Sequence, residues 1–445
     1  MSEQTLILGG GMTGLAAGIA SGLPVIEAED QPGGICLSYY MRPDSSAPYS
    51  EPLAPGASSG EDVDEAYRFE NGGGHWIFGG DPVVLEFVRS LMPMHRYGRK
   101  SSVYFPKTGA YVPYPIQNNM RHIDQALAVR ALDEMANPGP MGSTMAQWMT
   151  SCFGKTLGDL FFEPFNDLYT AGLYTRIAPQ DGYKSPVNFS LALKGAFDAA
   201  PAVGYNTTYI YPEGGLNRLA RLMAAQCDIH YGKRVTQFDT SKREVVFADG
   251  SRRDYYRVLS TLPLTSALAM AGLTVPSEPD PYTSVLVLNI GAVKGERCPE
   301  DHWLYIPSSD SGFHRVGFYS NVDHAFLPAS ARASGNRVSI YVERAYLPGA
   351  RPNAADTRAY GESVVAELQR WGYIGAAEAV HPTWVDVAYT WSWPNSPWKQ
   401  QAMQALEGVG IYQVGRYGRW IFQGIADSIR DGFIAGSSFK RIGKG

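Results

Sequence analysis

Cysteine is scarce in this chain: 4 in 445 residues, at Cys36, Cys152, Cys227 and Cys298. They lie far apart and form no C-x-x-C pair, so neither a zinc site nor a redox dithiol has support. Four buried thiols in a reducing cytoplasm is the simpler reading. Charge is also thin, at 18% of residues, with a net value of −5. That excludes a nucleic-acid partner, which needs a strong positive field to collect phosphates. An anionic small ligand would have to be met by a few well-placed arginines. The uncharged stretch from Thr5 to Ile26 is too rich in interruptions for a membrane span: Gly9, Gly10, Gly11, Gly14, Gly18, Gly22 and Pro24 all fall in it. Nothing basic precedes it, so a signal peptide and a membrane partner are not expected. No cluster with metal-ligand spacing and no Ser-His-Asp arrangement is visible, so no metal is expected, and nothing sets an oligomeric state.

What the chain does have is glycine (48), proline (30) and tyrosine (27), a composition suited to a loop-rich enzyme around an aromatic cleft. Leu6-Ile7-Leu8 reads as a short buried strand, followed by a helix to about Ser21 and a second strand from Pro24 to Glu27. Between strand and helix, Gly9-Gly10-Gly11-Met12-Thr13-Gly14 is a G-x-G-x-x-G. Gly9 permits the tight turn, Gly11 lets a pyrophosphate approach the backbone, and Gly14 lets helix and strand pack closely. The helix start at Met12 and Thr13 offers free N–H groups to phosphate. Glu27 closes the second strand, where an acid can bind a ribose, although its spacing from Gly9 is short by roughly one helical turn. The motif alone fits NAD or FAD. Gln31-Pro32-Gly33-Gly34 adds a glycine pair that lets the chain pass close to a flavin's ribityl-phosphate arm; an ordinary turn is the other reading.

Residues 42–65 are rich in Pro, Ser, Ala, Gly and acids, and read as an exposed loop near the site. Helical patterns dominate from Ile123 to about Ala200, including Ile123 to Met135 and Leu157 to Leu168. Strands return at Thr207 to Tyr211, Arg234 to Phe238, Glu244 to Phe247 and Val258 to Thr261, and again at Ser284 to Ile290, Phe313 to Phe318 and Val338 to Glu343. A helix is expected near Thr357 to Trp371, a strand at Ile411 to Val414, and a last helix from Asp427. No solenoid-type repeat occurs.

Three further segments carry a family resemblance. They are Asn71-Gly72-Gly73-Gly74-His75-Trp76-Ile77-Phe78, Tyr111-Val112-Pro113-Tyr114-Pro115-Ile116-Gln117-Asn118-Asn119, and Gly415-Arg416-Tyr417-Gly418-Arg419-Trp420 followed by Asp427-Ser428 and Gly432. In that order they resemble the flavin-dependent UDP-galactopyranose mutases, most of all the eukaryotic, fungal-type branch, within the wider amine oxidase and protoporphyrinogen oxidase-like flavoproteins. Tyr211-Pro212-Glu213-Gly214-Gly215, Trp303-Leu304-Tyr305 and His314-Arg315 to Asn321 are similar more weakly. The resemblance implies an α/β fold. A discontinuous Rossmann-like FAD-binding domain would occupy 1–110, 205–265 and 401–445, with an inserted helical domain at 111–204 and an antiparallel sheet substrate domain at 266–400.

It also implies roles. FAD would be held by Gly9, Gly11, Met12, Thr13, Gly14, Glu27, Gly33, Gly34, Gly74, Gly415, Asp427 and Ser428. The reduced form would be active, with NAD(P)H as its reductant. Gly74 and His75 match the loop against the flavin's central ring, where a backbone carbonyl can receive the N5–H. Arg315 and Arg416 match the arginines that clamp a substrate diphosphate, a task suited to a planar, permanently charged fork. Tyr114, Gln117, Phe161 and Asn166 match the uracil region, and Asn206 a residue near the sugar; Tyr305 completes the substrate set with Trp393 and Phe422.

Departures concentrate in the substrate cleft. Val322, Trp393 and Phe422 stand where the family has tyrosines, Ile116 where it has Phe, and Thr170 where it has Trp. For a phosphate-binding arginine of the helical domain, Lys184 is the nearest candidate. Three lost hydroxyls remove about 1 kcal/mol each of net hydrogen bonding. The expectation is therefore a pyranose–furanose mutase that works through N5 of reduced flavin on a nucleotide sugar other than UDP-galactose. The alternative is an oxidase or desaturase of the amine oxidase or protoporphyrinogen oxidase type.

Overall fold

Leu6, Ile7 and Leu8 are each no more than 1% exposed, because the strand they form is covered on both faces. Such strands read as continuous apolar runs rather than alternating ones. The computed structural model describes residues 4–45, 47–49, 65–180, 187–204 and 206–442; Lys184 and most of the expected 42–65 loop lie outside these. The sheet runs in the order Ile229–His230, Val25–Ile26, Thr5–Leu8, Arg257–Ser260 and Ile411–Gln413, with every pairing parallel. Its strands come from three distant stretches of chain. Leu6, Leu8, Val258 and Ile411 pack against the helices Leu264–Met270 and Trp398–Gly408. Ile7, Val25 and Leu259 face the other way, against Ala17 of the helix Met12–Ser21. That helix meets the C-terminal helix Ile425–Ile442 at glycine: a Cβ at Gly432 would lie 2.2 Å from the Thr13 carbonyl oxygen, and one at Gly436 2.4 Å from that of Ala17.

The second large sheet is seven-stranded, in the order Ile374–Thr390, Tyr282–Lys294, Arg337–Tyr346, Arg315–Phe318, Trp303–Tyr305, Ser101–Phe105 and Ala110–Pro113. All pairs are antiparallel except Trp303–Tyr305 with Ser101–Phe105. Period-two alternation sends Leu286, Leu288 and Ile290 to the face covered by Tyr360, Val364 and Leu368 of the helix Ala354–Trp371. The opposite face looks into the interior. There Tyr305, Arg315 and Glu343 stand directly opposite one another on three adjacent strands, which brings their side chains together.

The helical region differs from the single Leu157 to Leu168 helix that periodicity suggests. The helix Met145–Leu157 is broken at Gly154 (φ 75°), passes into a π-turn at Gly158–Phe162, and resumes as Glu163–Tyr169. Pro164 lacks the N–H that would continue a regular ladder, which accounts for the wider turn. The turn carries Phe161 and Phe162 to the interior, both no more than 3% exposed.

Candidate active site

One cavity of about 850 Å³ runs from the glycine turn, past the seven-stranded sheet, to the helical region. At its first end the wall is backbone. Gly9 has φ 97°, which L side chains rarely adopt, and a Cβ on Gly14 would lie 1.8 Å from the Gly9 carbonyl oxygen. At Gly11 a Cβ would meet no protein atom within 4 Å, and Gly11 lines the cavity. Gly33 pairs with Gly11 as an isolated bridge, and its N–H donates to Gly10 O at 2.8 Å. The helix behind them starts without a side-chain cap. Its first N–H groups are therefore left for a ligand, with the partial positive charge of the helix terminus.

Glu27 is 7% exposed, and both its oxygens already accept backbone N–H groups: Gly10 N at 2.5 Å and Glu29 N at 2.8 Å. Burial raises its pKa and these bonds oppose the rise. A ribose would have to share a carboxylate that also braces the turn. At the other side of this end, the helix Ile425–Ile442 begins two residues before the expected Asp427, with Gly424, Ile425 and Ser428 on the wall. Asp427 itself turns back, accepting from Gly424 N at 3.2 Å. A space that a Cβ at Gly11 would enter and two helix starts facing one cavity fit an elongated dinucleotide such as FAD.

The middle of the cavity is charged. The Gly74 backbone comes so close to Tyr341 that a Cβ would lie 2.2 Å from its hydroxyl. His75 is held by Gly73 O at 3.2 Å from Nδ1, and burial keeps its imidazole below the usual pKa. Arg315 lies 3.3 Å from the Glu343 carboxylate. Burial would raise the pKa of Glu343, but Arg315 and then His314 outweigh it and hold it at about 2. Arg416 is anchored differently, by the carbonyls of Gln423 at 3.0 Å and Ala388 at 2.9 Å. Its guanidinium carbon is 4.6 Å from the Phe422 ring centroid and 5.6 Å from that of Tyr389, and its buried Nε has no hydrogen-bond partner among the described residues. Among the described residues it makes no ion pair.

Of the residues singled out from the sequence, Gly9, Gly11, Met12, Thr13, Glu27, Gly33, Gly34, Gly74, His75, Gly415 and Ser428 line the cavity, as do Tyr114, Phe161, Asn166, Asn206, Tyr305, Arg315, Arg416 and Phe422. Gly14, Gln117, Trp393 and Asp427 are not on its wall. Gly14 is consumed by the turn itself. Gln117 is fully buried. Trp393 is turned aside, its indole N–H donating to Pro279 O at 3.0 Å and its ring 4.8 Å from the Arg176 guanidinium. Val322 is core. Sequence reading missed Glu343, Tyr389 and Tyr417, all on the wall. The i, i+2 aromatic run Tyr389, Trp391, Trp393 was the available signal for Tyr389. Burial pushes the Tyr389 hydroxyl up to about 12, so it stays a donor. Of Val322, Trp393 and Phe422 only Phe422 lies on the wall, where Tyr389 and Tyr417 also stand. Among the described residues no cluster could hold a metal ion, and no helix is long and apolar enough to cross a membrane.

Comparison with known proteins agrees with this geometry. The family of flavin-containing amine oxidoreductases matches residues 22–406. A crystal structure of reduced UDP-galactopyranose mutase superposes with a TM-score of 0.82 at 20% identity, covering 99% of this chain and 94% of that one. Cyclohexylamine oxidase from Brevibacterium oxydans gives 0.59 at 14% identity, with all of both chains covered. A fatty acid isomerase from P. acnes that produces CLA gives 0.57 at 13%, covering 98% and 99%. At these identities the likeness establishes the fold.

Proposed function

The chain belongs to the flavin-containing amine oxidoreductase family, and from that premise we propose that it binds FAD and interconverts the pyranose and furanose forms of a nucleotide-diphosphate sugar other than UDP-galactose. The observation that carries the reading is Arg416: a cation on the wall of the cavity, without a carboxylate partner among the described residues. Such a group attracts a diphosphate and repels an amine.

FAD would lie on Gly9, Gly11, Met12, Thr13, Gly33 and Gly34, with its ring system between the Gly74-His75 loop and the helix start at Gly424 and Ile425. When bound there and reduced, the flavin would supply nucleophilic chemistry at N5 without net redox between substrate and product. The protein's part is placement and charge. Arg416 and Arg315 hold the diphosphate before and after it leaves the sugar, which keeps the leaving group from diffusing away. Tyr389 donates a proton in a hydrogen bond without giving it up, because its hydroxyl is pushed to about 12. Neutral His75 adds no positive charge that would draw the phosphates from the arginines. NAD(P)H would serve to reduce the flavin.

The test is product analysis after anaerobic dithionite reduction, with a panel of nucleotide sugars. Ring interconversion by the reduced protein, without net redox, is expected. Stoichiometric hydrogen peroxide in air, with turnover of an amine, would establish the oxidase reading instead. That second reading is favoured by one observation: oxidases such as cyclohexylamine oxidase share the fold.

A further inference from the structure

The resemblance places uracil at Tyr114, Gln117, Phe161 and Asn166, yet the far end of the cavity has little that would read a uracil edge. Its wall there is Met145, Trp148, Met149, Phe161, Phe162 and Phe165. None is ionisable, and the Trp148 indole N–H is the one strong hydrogen-bonding group among the six side chains. Gln117 is fully buried and does not line the cavity. Asn166 reaches the cavity, but its Nδ2 donates to Phe162 O at 2.7 Å and to Met149 Sδ at 3.1 Å, which leaves the ligand its Oδ1. A uracil edge brings two carbonyl oxygens and one N–H. Oδ1 can meet the N–H, and the carbonyls have the Trp148 indole and tyrosine hydroxyls of the wall such as Tyr114 to turn to, groups that read a 5-methylated base as readily as uracil.

Aromatic rings join this compartment to both arginines. The Tyr389 ring, beside Arg416, is 4.8 Å from Tyr169; Tyr169 is 5.5 Å from Phe165, and Phe165 is 5.2 Å from Phe161. On the other flank the Arg315 guanidinium is 5.7 Å from the Tyr305 ring, which is 5.6 Å from Phe165. A ligand can therefore place charge at the arginines and an uncharged body against Phe161 and Met149.

We infer that the group remote from the flavin is flat and apolar, held by contact with Met145, Met149, Trp148 and Phe161 rather than by hydrogen bonds to a base edge. In a nucleotide this favours a 5-methylated pyrimidine over uracil through the added methyl alone, since the two bases present the same hydrogen-bonding edge and differ only in the apolar surface they offer Met145, Met149 and Phe161. The inference rests on the diphosphate assignment made above.

Calorimetric titration of the flavin-loaded protein with UDP, 5-methyl-UDP and benzyl diphosphate tests it. One buried methyl group corresponds to about a fourfold gain, so 5-methyl-UDP binds about fourfold tighter than UDP, and benzyl diphosphate at least equals UDP. Met149→Gln reduces the methyl preference below about twofold, on the same one-methyl scale, with flavin content unchanged. Phe161→Tyr, which adds a hydroxyl at nearly constant ring size, shifts preference toward UDP and covers the case in which Met149→Gln does not fold. UDP binding tightest of the three to wild type overturns the inference. If no diphosphate binds and Arg416→Ala changes nothing, the diphosphate reading is what fails. The compartment is then judged with 1-anilinonaphthalene-8-sulfonate: binding weakened by Phe161→Tyr supports it, and no binding overturns it.

Discussion

The two ends of the cavity are walled by different materials. Around Gly9, Gly11, Gly33 and Gly34 the surface is main chain, shaped by residues that lack a side chain. Around Met149, Phe161 and Phe165 it is side chain, supplied by helices and a π-turn. Backbone presents the same N–H groups whatever the sequence, so the first end suits an invariant phosphate-bearing cofactor. The second end can be recast by single substitutions without disturbing the first, which is how one fold can serve different substrates.

Glycine substitutions break this comparison most severely. Gly14→Val places atoms where the Gly9 carbonyl oxygen already sits, and is expected to abolish both flavin content and soluble yield. Gly11→Ala is the sharper variant. Its backbone, φ −74° and ψ 177°, suits alanine, and the added methyl meets no protein atom within 4 Å. The apoprotein should melt within about 1 °C of wild-type apoprotein, as for a surface change worth only tenths of a kcal/mol, while visible flavin absorbance is lost. Normal flavin binding in Gly11→Ala would mean that the cofactor does not lie against that turn.

The same contrast explains what could be read from sequence. The glycine turn is local: strand, turn and helix all fall between Thr5 and Ser21, and Gly9 and Gly14 each have a steric reason of their own. The strand Ile374–Thr390 was not foreseen, although it spans 17 residues. It is the edge of its sheet and contains Pro382, which an edge strand tolerates and a central one does not. Half-exposed along much of its length, it lacks a clean alternation. Tyr389 and Glu343 were missed for a related reason. Glu343 lies on a strand where nothing local distinguishes it, and the aromatic run Tyr389, Trp391, Trp393 does not by itself say which ring faces the cavity; each residue is placed by groups distant in sequence, Arg315 in one case and Arg416 in the other. The position of Trp393 outside the cavity depends on Pro279 and Arg176, likewise remote.

Within the charged middle, the two arginines themselves form a contrast. Arg315 neutralises buried Glu343, so Arg315→Ala strands a carboxylate and should cost about 3–5 kcal/mol of stability in urea melts. Arg315→Ala with Glu343→Gln should recover most of it; equal destabilisation of single and double variants would show that the pair is not coupled. The pH dependence has a definite sign. Glu343 is held at about 2 in the folded protein, against an ordinary 4.5. A lowered folded pKa contributes stability that is fully present above the ordinary value and is lost as pH falls toward 2. Glu343→Gln should therefore flatten stability against pH across that window and leave neutral pH behaviour to the Arg315 contact.

Arg416 carries no such burden. Its contacts are carbonyls, so Arg416→Ala should weaken diphosphate binding by about tenfold to a hundredfold or more, the worth of a charge-assisted hydrogen bond, at roughly 1.5–3 kcal/mol. Flavin content should change little. Arg416→Lys should recover part of the loss, since an ammonium cannot make the bidentate fork. Unchanged affinity in Arg416→Ala would remove the main support for a diphosphate substrate.

The smallest expected effect separates wall from background. Phe422 and Trp393 both replace tyrosines of the mutases that the sequence resembles, and sequence alone treats them as equivalent. The structure does not. Phe422 is on the cavity wall with its ring 4.6 Å from the Arg416 guanidinium, whereas Trp393 is held outside it by Pro279 and Arg176. Phe422→Tyr adds a hydroxyl where a phosphate oxygen held by Arg416 would lie, and should tighten UDP-galactose binding by about fivefold, the worth of ~1 kcal/mol of net hydrogen bonding. Trp393→Tyr should leave that affinity unchanged and instead lower the melting temperature, through loss of the indole bond to Pro279 and of the Arg176 contact. Binding measured by titration and melting measured by scanning calorimetry then move in different variants. If Trp393→Tyr alone raised affinity, the strand carrying Tyr389 would have to turn its end into the cavity when substrate binds, and the division between wall and background drawn from Phe422 and Trp393 would not hold in the complex.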